Sequence, residues 1–321
     1  MRYALPVVAL LALAPLFLPG FQVKLLTEVL IFALLAMSLN LQIGYARMFS
    51  FGHAASYGIG AYVCAFALQS GHFSFPVAVL IATGAVFAYA IPIGWLCTRV
   101  GGVAFSMLTL AFAQLAYAVV YKWNSLTGGS DGIAGLARNA GPLGLPALDS
   151  NASFYLFTLA VVVGLALLAI GFVRSPMGTA IVAVRENENR AIAIGYEPRK
   201  LRLAAFVTSN TVGGVAGALH SGFLLFVSPE ILHWMLSGHI IIAVMLGGAG
   251  SIVGPMLGAA FIIIAGHELS AVTDSWPLVM GLLFIAVVVV APKGLWGIKD
   301  SIVAMFAARK AERVGVNRAT S

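Results

Sequence analysis

Residues 154–173 read FYLFTLAVVVGLALLAIGFV, a stretch without a single charged side chain. A helix of about 20 apolar residues crosses the hydrocarbon core of a bilayer, so this stretch predicts a transmembrane helix. Similar windows recur along the whole chain of 321 residues. They predict helices near 4–18, 25–43, 51–68, 75–96, 103–121, 154–173, 203–226 and 277–291, with a longer apolar stretch at 239–265.

The composition excludes the water-soluble classes of protein. The chain is 61% hydrophobic and 9% charged, whereas soluble domains are about 45–50% apolar and about 25% charged. A soluble enzyme, a nucleic-acid-binding domain and a disordered protein are therefore excluded. We predict an all-α polytopic membrane protein with about 8–10 transmembrane helices, in contact with lipid and without a nucleic-acid partner.

The positive charges predict the orientation of the chain. Lys and Arg concentrate in cytoplasmic loops, and alternation from Arg2 places Arg47, Arg99 and loop 174–202 on that side. Both termini are then cytoplasmic. The first apolar segment resembles a signal peptide, but the spans that follow it favour an uncleaved first span. The expected organisation is one transmembrane domain over 1–296, an outer loop at 122–152 and a basic cytoplasmic tail at 297–321.

A glycine-rich segment interrupts the apolar stretch 239–265. Alternation requires this stretch to begin and end outside, and its centre reads GGAGS at 247–251, followed by Gly254-Pro255. Glycine and proline break helices, and broken helices at membrane depth are tolerated where protein or water surrounds them. We expect two short half-spans or a re-entrant hairpin near 247–255.

Motifs for nucleotide and metal chemistry are missing from the sequence. It contains no G-x-x-x-x-G-K-[ST] loop for nucleotides and no H-E-x-x-H metal motif. Cys64 and Cys97 are interpreted as small packing residues. Ionisable residues in the spans are nearly limited to His53, His220 and His239, without an acidic partner, which disfavours an ion-coupled carrier. We predict no catalytic residue, bound cofactor or metal site.

Small and weakly polar residues recur at helical spacing within the spans. Such stripes allow close packing of helices, and they also suit a path for a solute without strong net charge. Both interpretations stay open for this group of residues. Its members are His53, Ser56, Gly60, Ser106, Thr109, Asn210, Gly213, Gly217 and Gly250.

Loop 174–202 predicts two short capped helices. Ser175-Pro176 is a typical helix start, Asn187 can cap a second helix, and Gly195 can end it in a left-handed conformation. The segment either docks on a partner or lies on the lipid headgroups.

Several ordered motifs resemble those of one family. They are 44–46 (GYA), 50–55 (SFGHAA), 58–62 (GIGAY), 127–132 (TGGSDG), 175–178 (SPMG), 185–188 (RENE) with Gly195, 246–251 (LGGAGS) with 254–255 (GP), and 292–295 (PKGL). The chain resembles the LivM-type permeases of branched-chain amino acid ABC importers, inner-membrane components of binding-protein-dependent transport systems. It departs from the family pattern at Arg47-Met48 and at Asn189-Arg190.

The resemblance implies a permease subunit for Leu, Ile and Val in a bacterial inner membrane. The implied partners are a second homologous permease, two cytoplasmic ABC ATPase subunits that bind ATP and Mg, and a periplasmic solute-binding protein. A helix that couples the permease to the ATPase is implied at Arg185, Glu186, Asn187, Glu188, Ala191 and Gly195. The alternatives are a urea or short-amide permease, an autonomous secondary carrier or channel for a small neutral solute, and a membrane-embedded enzyme.

Overall fold

The computed structural model describes residues 4–138, 148–290, 294, 295 and 297. The predicted basic tail beyond 297, residues 292–293 of the last motif and part of the outer loop lie outside these residues. Within them the helices are α1 Ala4–Phe17, α2 Gly20–Ala46, α3 His53–Gln69, α4 Phe75–Cys97, α5 Gly102–Lys122, α6 Asn124–Thr127, α7 Asn151–Arg174, α8 Pro176–Glu186, α9 Glu188–Ala193, α10 Pro198–Leu224, α11 Trp234–Gly247, α12 Val253–Val272 and α13 Trp276–Val290.

The predicted all-α membrane fold is confirmed. Among the described residues, five helices are long and apolar enough to cross a membrane by length and composition: α2, α4, α5, α7 and α12. In the described residues the extended structure amounts to one antiparallel pair, β1 Ile133–Ala134 with β2 Phe226–Val227. This pair ties the outer-loop motif at 127–132 to the chain that follows α10.

Helix α2 is the centre of the bundle. In its most apolar window 83% of the residues are buried, against 17–33% in α4, α5, α7 and α12. Helices α7, α10, α11 and α12 pack around it. The outer helices therefore turn apolar side chains away from the protein, as contact with lipid requires.

Helices α3 and α10 approach each other closely enough to need glycine. A Cβ atom at Gly60 would lie 2.1 Å from the Gly214 carbonyl oxygen, and one at Gly217 would lie 1.8 Å from the Tyr57 carbonyl oxygen. Small residues let backbones touch in membrane proteins, where packing rather than the hydrophobic effect holds helices together. This contact fixes the core on which the polar side chains sit.

The glycine-rich segment forms the tip of a hairpin between α11 and α12. The helices are interrupted at 248–252, where Gly248 and Gly250 have φ values of 102° and 96°, so the predicted break is present. The expectation of two short half-spans is wrong for α12, whose 20 residues span about 30 Å. The helix continues through His267 and Glu268, polar residues that the sequence pattern had favoured as loop.

Capping residues build the two helices between α7 and α10. The Ser175 hydroxyl accepts a hydrogen bond from the Gly178 N–H at 3.2 Å, and the Asn187 side chain accepts one from the Arg190 N–H at 2.9 Å. Gly195 follows α9 with a φ of 93°. The predicted pair of capped helices is therefore present, and the chain turns at Asn187 between them.

Candidate functional site: a buried polar cluster and an exposed two-helix segment

Four polar side chains from three helices meet in the core. The Ser38 hydroxyl of α2 lies 2.7 Å from His53 Nε2 of α3, and the Ser56 hydroxyl donates to Asn210 Oδ1 of α10 at 2.7 Å. All four residues are buried. Three of the predicted residues, His53, Ser56 and Asn210, are thus brought together.

The imidazole of His53 has one partnered and one unpartnered nitrogen. The Ser38 hydroxyl donates to the Leu35 carbonyl at 2.7 Å, which leaves its oxygen free to accept from Nε2–H. Nδ1 is then an acceptor that has no partner among the described residues. Gly213 makes room for the ring, since a Cβ there would lie 2.7 Å from Nε2.

The sequence pattern did not predict the buried polar residues Ser38, Asn40 and Gln42, which lie on two faces of α2. Gln42 Nε2 donates to the Ser209 hydroxyl at 2.9 Å, and that hydroxyl donates to the Ser38 carbonyl at 2.5 Å. Ser38 and Gln42 are four residues apart and share one face of the helix, while Asn40 lies on another. Buried polar residues at this spacing in an otherwise apolar span were the available signal.

The other predicted residues lie apart from this cluster. Gly60 and Gly217 form the α3–α10 contact, which favours the packing interpretation for both. The Ser106 hydroxyl donates to the Phe49 carbonyl at 2.6 Å, and Thr109 Oγ1 accepts from the Phe51 N–H at 3.2 Å. These two side chains therefore hold the linker between α2 and α3.

A carboxylate lies within a span, contrary to expectation. Glu28 of α2 faces His267 of α12, with Oε2 and Nε2 3.2 Å apart. Glu28 is the ninth residue of α2, about 12 Å along the helix axis. The pairing links residues 239 positions apart, so the sequence alone could not reveal it.

Helices α8 and α9 have one face against the bundle and one exposed face. Ala191, implied as a coupling residue, is 1% exposed and packs inward. Ile192, Ile194 and Tyr196 are 52%, 67% and 41% exposed. Three apolar side chains outside the implied set therefore form the free surface of this segment, which we call the α9 tip.

Charged residues fix the segment to the bundle. Arg202 Nη2 binds Glu188 Oε2 at 2.7 Å, and Arg185 binds both Glu186 and the Gly44 carbonyl. The hydrogen bond from Arg185 lowers the pKa of Glu186, helped by the charge of Arg185. Beside these side chains a cavity of about 470 Å³ opens between α8 and the loops at 46–49 and 100–103.

A bundle of apolar helices with a weakly polar centre and an exposed capped segment is typical of a multi-pass membrane protein. The family model described as "Branched-chain amino acid transport system / permease component" matches residues 22–290. The chain belongs to this family, and it is a permease component rather than an enzyme.

Curated relatives agree with the family assignment. The chain is 29% identical over 318 residues to the high-affinity branched-chain amino acid transport system permease protein LivM of Escherichia coli (strain K12), covering 90% of this chain and 73% of the relative. It is 30% identical over 292 residues to the permease protein LivH of the same system in that strain, covering 83% and 91%. No solved structure gives a significant match.

Proposed function

We propose that the chain is the permease subunit of an ATP-driven importer of branched-chain amino acids. ATP and Mg would be bound by two separate cytoplasmic ATPase subunits, and the solute would be delivered by a periplasmic binding protein. A second homologous permease would complete the membrane part, since LivM and LivH relatives carry the name of one transport system. The choice of Leu, Ile and Val rests on those names.

The observation that carries this proposal is the exposed apolar α9 tip. It lies at the end of the bundle with Arg47, Arg185 and Arg202, and this concentration of arginine supports a position on the cytoplasmic side of a bacterial inner membrane. Exposed apolar residues rimmed by charges are typical of a protein interface. Binding of an ATPase here would let ATP turnover move α8 and α9, and with them α7 and α10, between two arrangements of the bundle.

We place the solute path beside the cluster of Ser38, His53, Ser56 and Asn210. Two buried acceptor atoms in this region, His53 Nδ1 and Gln42 Oε1, have no partner among the described residues. Buried polar groups without partners are costly, and a solute or water in another arrangement would satisfy them. Ser56→Ala should raise the KM for leucine, whereas an unchanged KM with a lower melting temperature would assign this serine to packing.

The proposal is tested by placing a charge in the α9 tip. We expect Ile194→Asp to reduce co-purification of the ATPase about tenfold or more, because a buried unpaired carboxylate opposes the interface. Uptake of labelled leucine by the assembled complex should fall in parallel. Ile194→Leu, which keeps the apolar surface, should retain both.

The matched control is Val272→Asp at the opposite end of the bundle, where the side chain is 84% exposed. It introduces the same charge and should leave ATPase binding unchanged. Normal ATPase binding by Ile194→Asp would contradict the docking assignment. In that case a segment resting on lipid headgroups would explain the apolar tip.

A further inference from the structure

The exposed two-helix segment is bonded to the central helix as well as to its neighbours in sequence. Arg185 Nη1 donates to the carbonyl oxygen of Gly44 at 2.5 Å. Gly44 lies in the last turn of α2, where carbonyl groups lack a partner within the helix and attract a cation. The Arg185 side chain is only 24% exposed and is oriented by Nε, which donates to Glu186 at 3.0 Å.

One turn back on the same face of α2, Asn40 holds the tip of the α11–α12 hairpin. Its Nδ2 donates to the Ser251 carbonyl at 2.8 Å, and its Oδ1 accepts from the Gly250 N–H at 3.1 Å. Asn40 is fully buried. The backbones also touch, because a Cβ at Gly44 would lie 2.6 Å from the Gly250 nitrogen.

The hairpin is packed tightly enough to move as one unit. The Ser251 hydroxyl accepts from the Gly254 N–H at 2.8 Å. A Cβ at Gly247 would lie 2.0 Å from the Gly254 oxygen, and one at Gly258 would lie 2.1 Å from the Ala243 oxygen. A displacement of the tip is therefore passed to both α11 and α12.

We infer that Arg185 and Asn40 are positioning residues that transmit movement of the two-helix segment to the α11–α12 hairpin through the last two turns of α2. The inference rests on the proposed function and adds the route within this chain. When the ATPases shift α8 and α9, Arg185 carries the Gly44 carbonyl with it. Asn40 then carries the hairpin tip, so that the arrangement of the spans changes with ATP turnover.

The experiment measures transport per ATP in the complete complex, reconstituted in liposomes with its ATPases, second permease and binding protein. In Arg185→Gln and Asn40→Ala we expect the number of leucine molecules imported per ATP to fall about tenfold, since each removes a buried or charge-assisted hydrogen bond from the route. In Asn40→Ala, whose side chain is buried in α2 away from the α9 tip, basal ATP hydrolysis and assembly should stay within about twofold. In the double variant, the number of leucine molecules imported per ATP should be no lower than in the more severely affected single variant, because both residues act on one route.

A steric variant disturbs the same contact without removing a polar side chain. The added methyl of Gly44→Ala would clash with Asn40 Oδ1 and lie 2.6 Å from the Gly250 nitrogen, so it should displace the hairpin tip and reproduce the uncoupling. Gly20→Ala lies on the same helix with nothing within 4 Å of the added methyl, and it should transport normally. Arg174→Gln is the matched charge control, since that exposed side chain forms no hydrogen bond with the described residues.

A conformational readout separates transmission from general destabilisation. Val253 is 42% exposed beside the hairpin tip, and the native cysteines are buried. Maleimide labelling of Val253→Cys should change with ATP in the parent complex, and Arg185→Gln should abolish that change without lowering the melting temperature.

The outcomes distinguish the two levels of the proposal. A normal ratio of transport to ATP hydrolysis in Arg185→Gln and Gly44→Ala overturns the route while ATP-driven transport stands. Labelling that still responds to ATP in Arg185→Gln overturns it as well. A parent complex without ATP-dependent uptake overturns the proposed function and the route together.

Discussion

Replacing Gly217 by alanine is expected to push α10 away from α3. The added Cβ would lie 1.8 Å from the Tyr57 carbonyl oxygen. A backbone oxygen cannot rotate away as a side chain can, so the two helices must separate. Restoring an ordinary contact of 3.4 Å or more requires a shift of about 1.5 Å.

The free-energy cost has two parts. Overpacking of a well-packed core costs about 1–3 kcal/mol. The same shift stretches the neighbouring Ser56–Asn210 hydrogen bond, now 2.7 Å long, and a neutral buried hydrogen bond contributes about 1 kcal/mol. We expect the free energy of unfolding to fall by about 2–4 kcal/mol, which for a chain of 321 residues corresponds to a lower melting temperature by about 3–6 °C.

The assay is thermal unfolding of the detergent-solubilised protein, followed by circular dichroism. Gly164→Ala is the matched control, because it lies within α7 with nothing within 4 Å of the added methyl. Alanine exceeds glycine in helix propensity by about 1 kcal/mol, so this control should melt at the same temperature as the parent or higher. If Gly217→Ala also melts no lower than the parent, the close α3–α10 contact is refuted.

Three further changes test other parts of the structure. Glu28→Gln removes the carboxylate that faces His267 and should cost about 1 kcal/mol or less while ATP-driven uptake continues; loss of uptake with unchanged folding would point to ion coupling. Arg185→Gln should raise the pKa of Glu186 towards that of an ordinary carboxyl group, observed by carbon NMR of labelled glutamate; an unmoved titration would refute the hydrogen bond as its cause. That pKa is lowered in the folded protein. The bond therefore stabilises the end of α8 at pH values above the ordinary pKa of a carboxyl group, and this stabilisation is lost as the pH falls through the lowered pKa of Glu186. Gly132→Ala places a methyl 2.1 Å from a backbone oxygen of β2 and should weaken binding-protein stimulation of ATP hydrolysis but not the basal rate; equal loss of both would instead indicate general misfolding.

Span positions were predictable because the apolar windows are long and their ends are marked by polar residues or caps. The window 154–173 corresponds to α7. The helix begins three residues earlier, at Asn151, because the Ser150 side chain caps its first turn. The glycines at 247–250 likewise predicted the break. The full length of α12 was missed because His267 and Glu268 have the polarity of a loop, and only the fold supplies Glu28 as a partner for His267.

The candidate site was predictable only in part. His53, Ser56 and Asn210 stood out as polar residues on small-residue stripes, and α3 and α10 bring them together. Asn40 was not predicted, since its significance depends on a turn 210 residues away along the chain. Pairings at that distance arise from tertiary packing and leave no local pattern.

The most direct test of the account is uptake of labelled leucine by proteoliposomes that contain the complete complex. The account predicts uptake only with ATP, the ATPases and the binding protein present, with competition by valine and isoleucine and not by urea. A non-hydrolysable ATP analogue should abolish it. Leucine flux through this chain alone, without ATPase or nucleotide, would contradict the central claim.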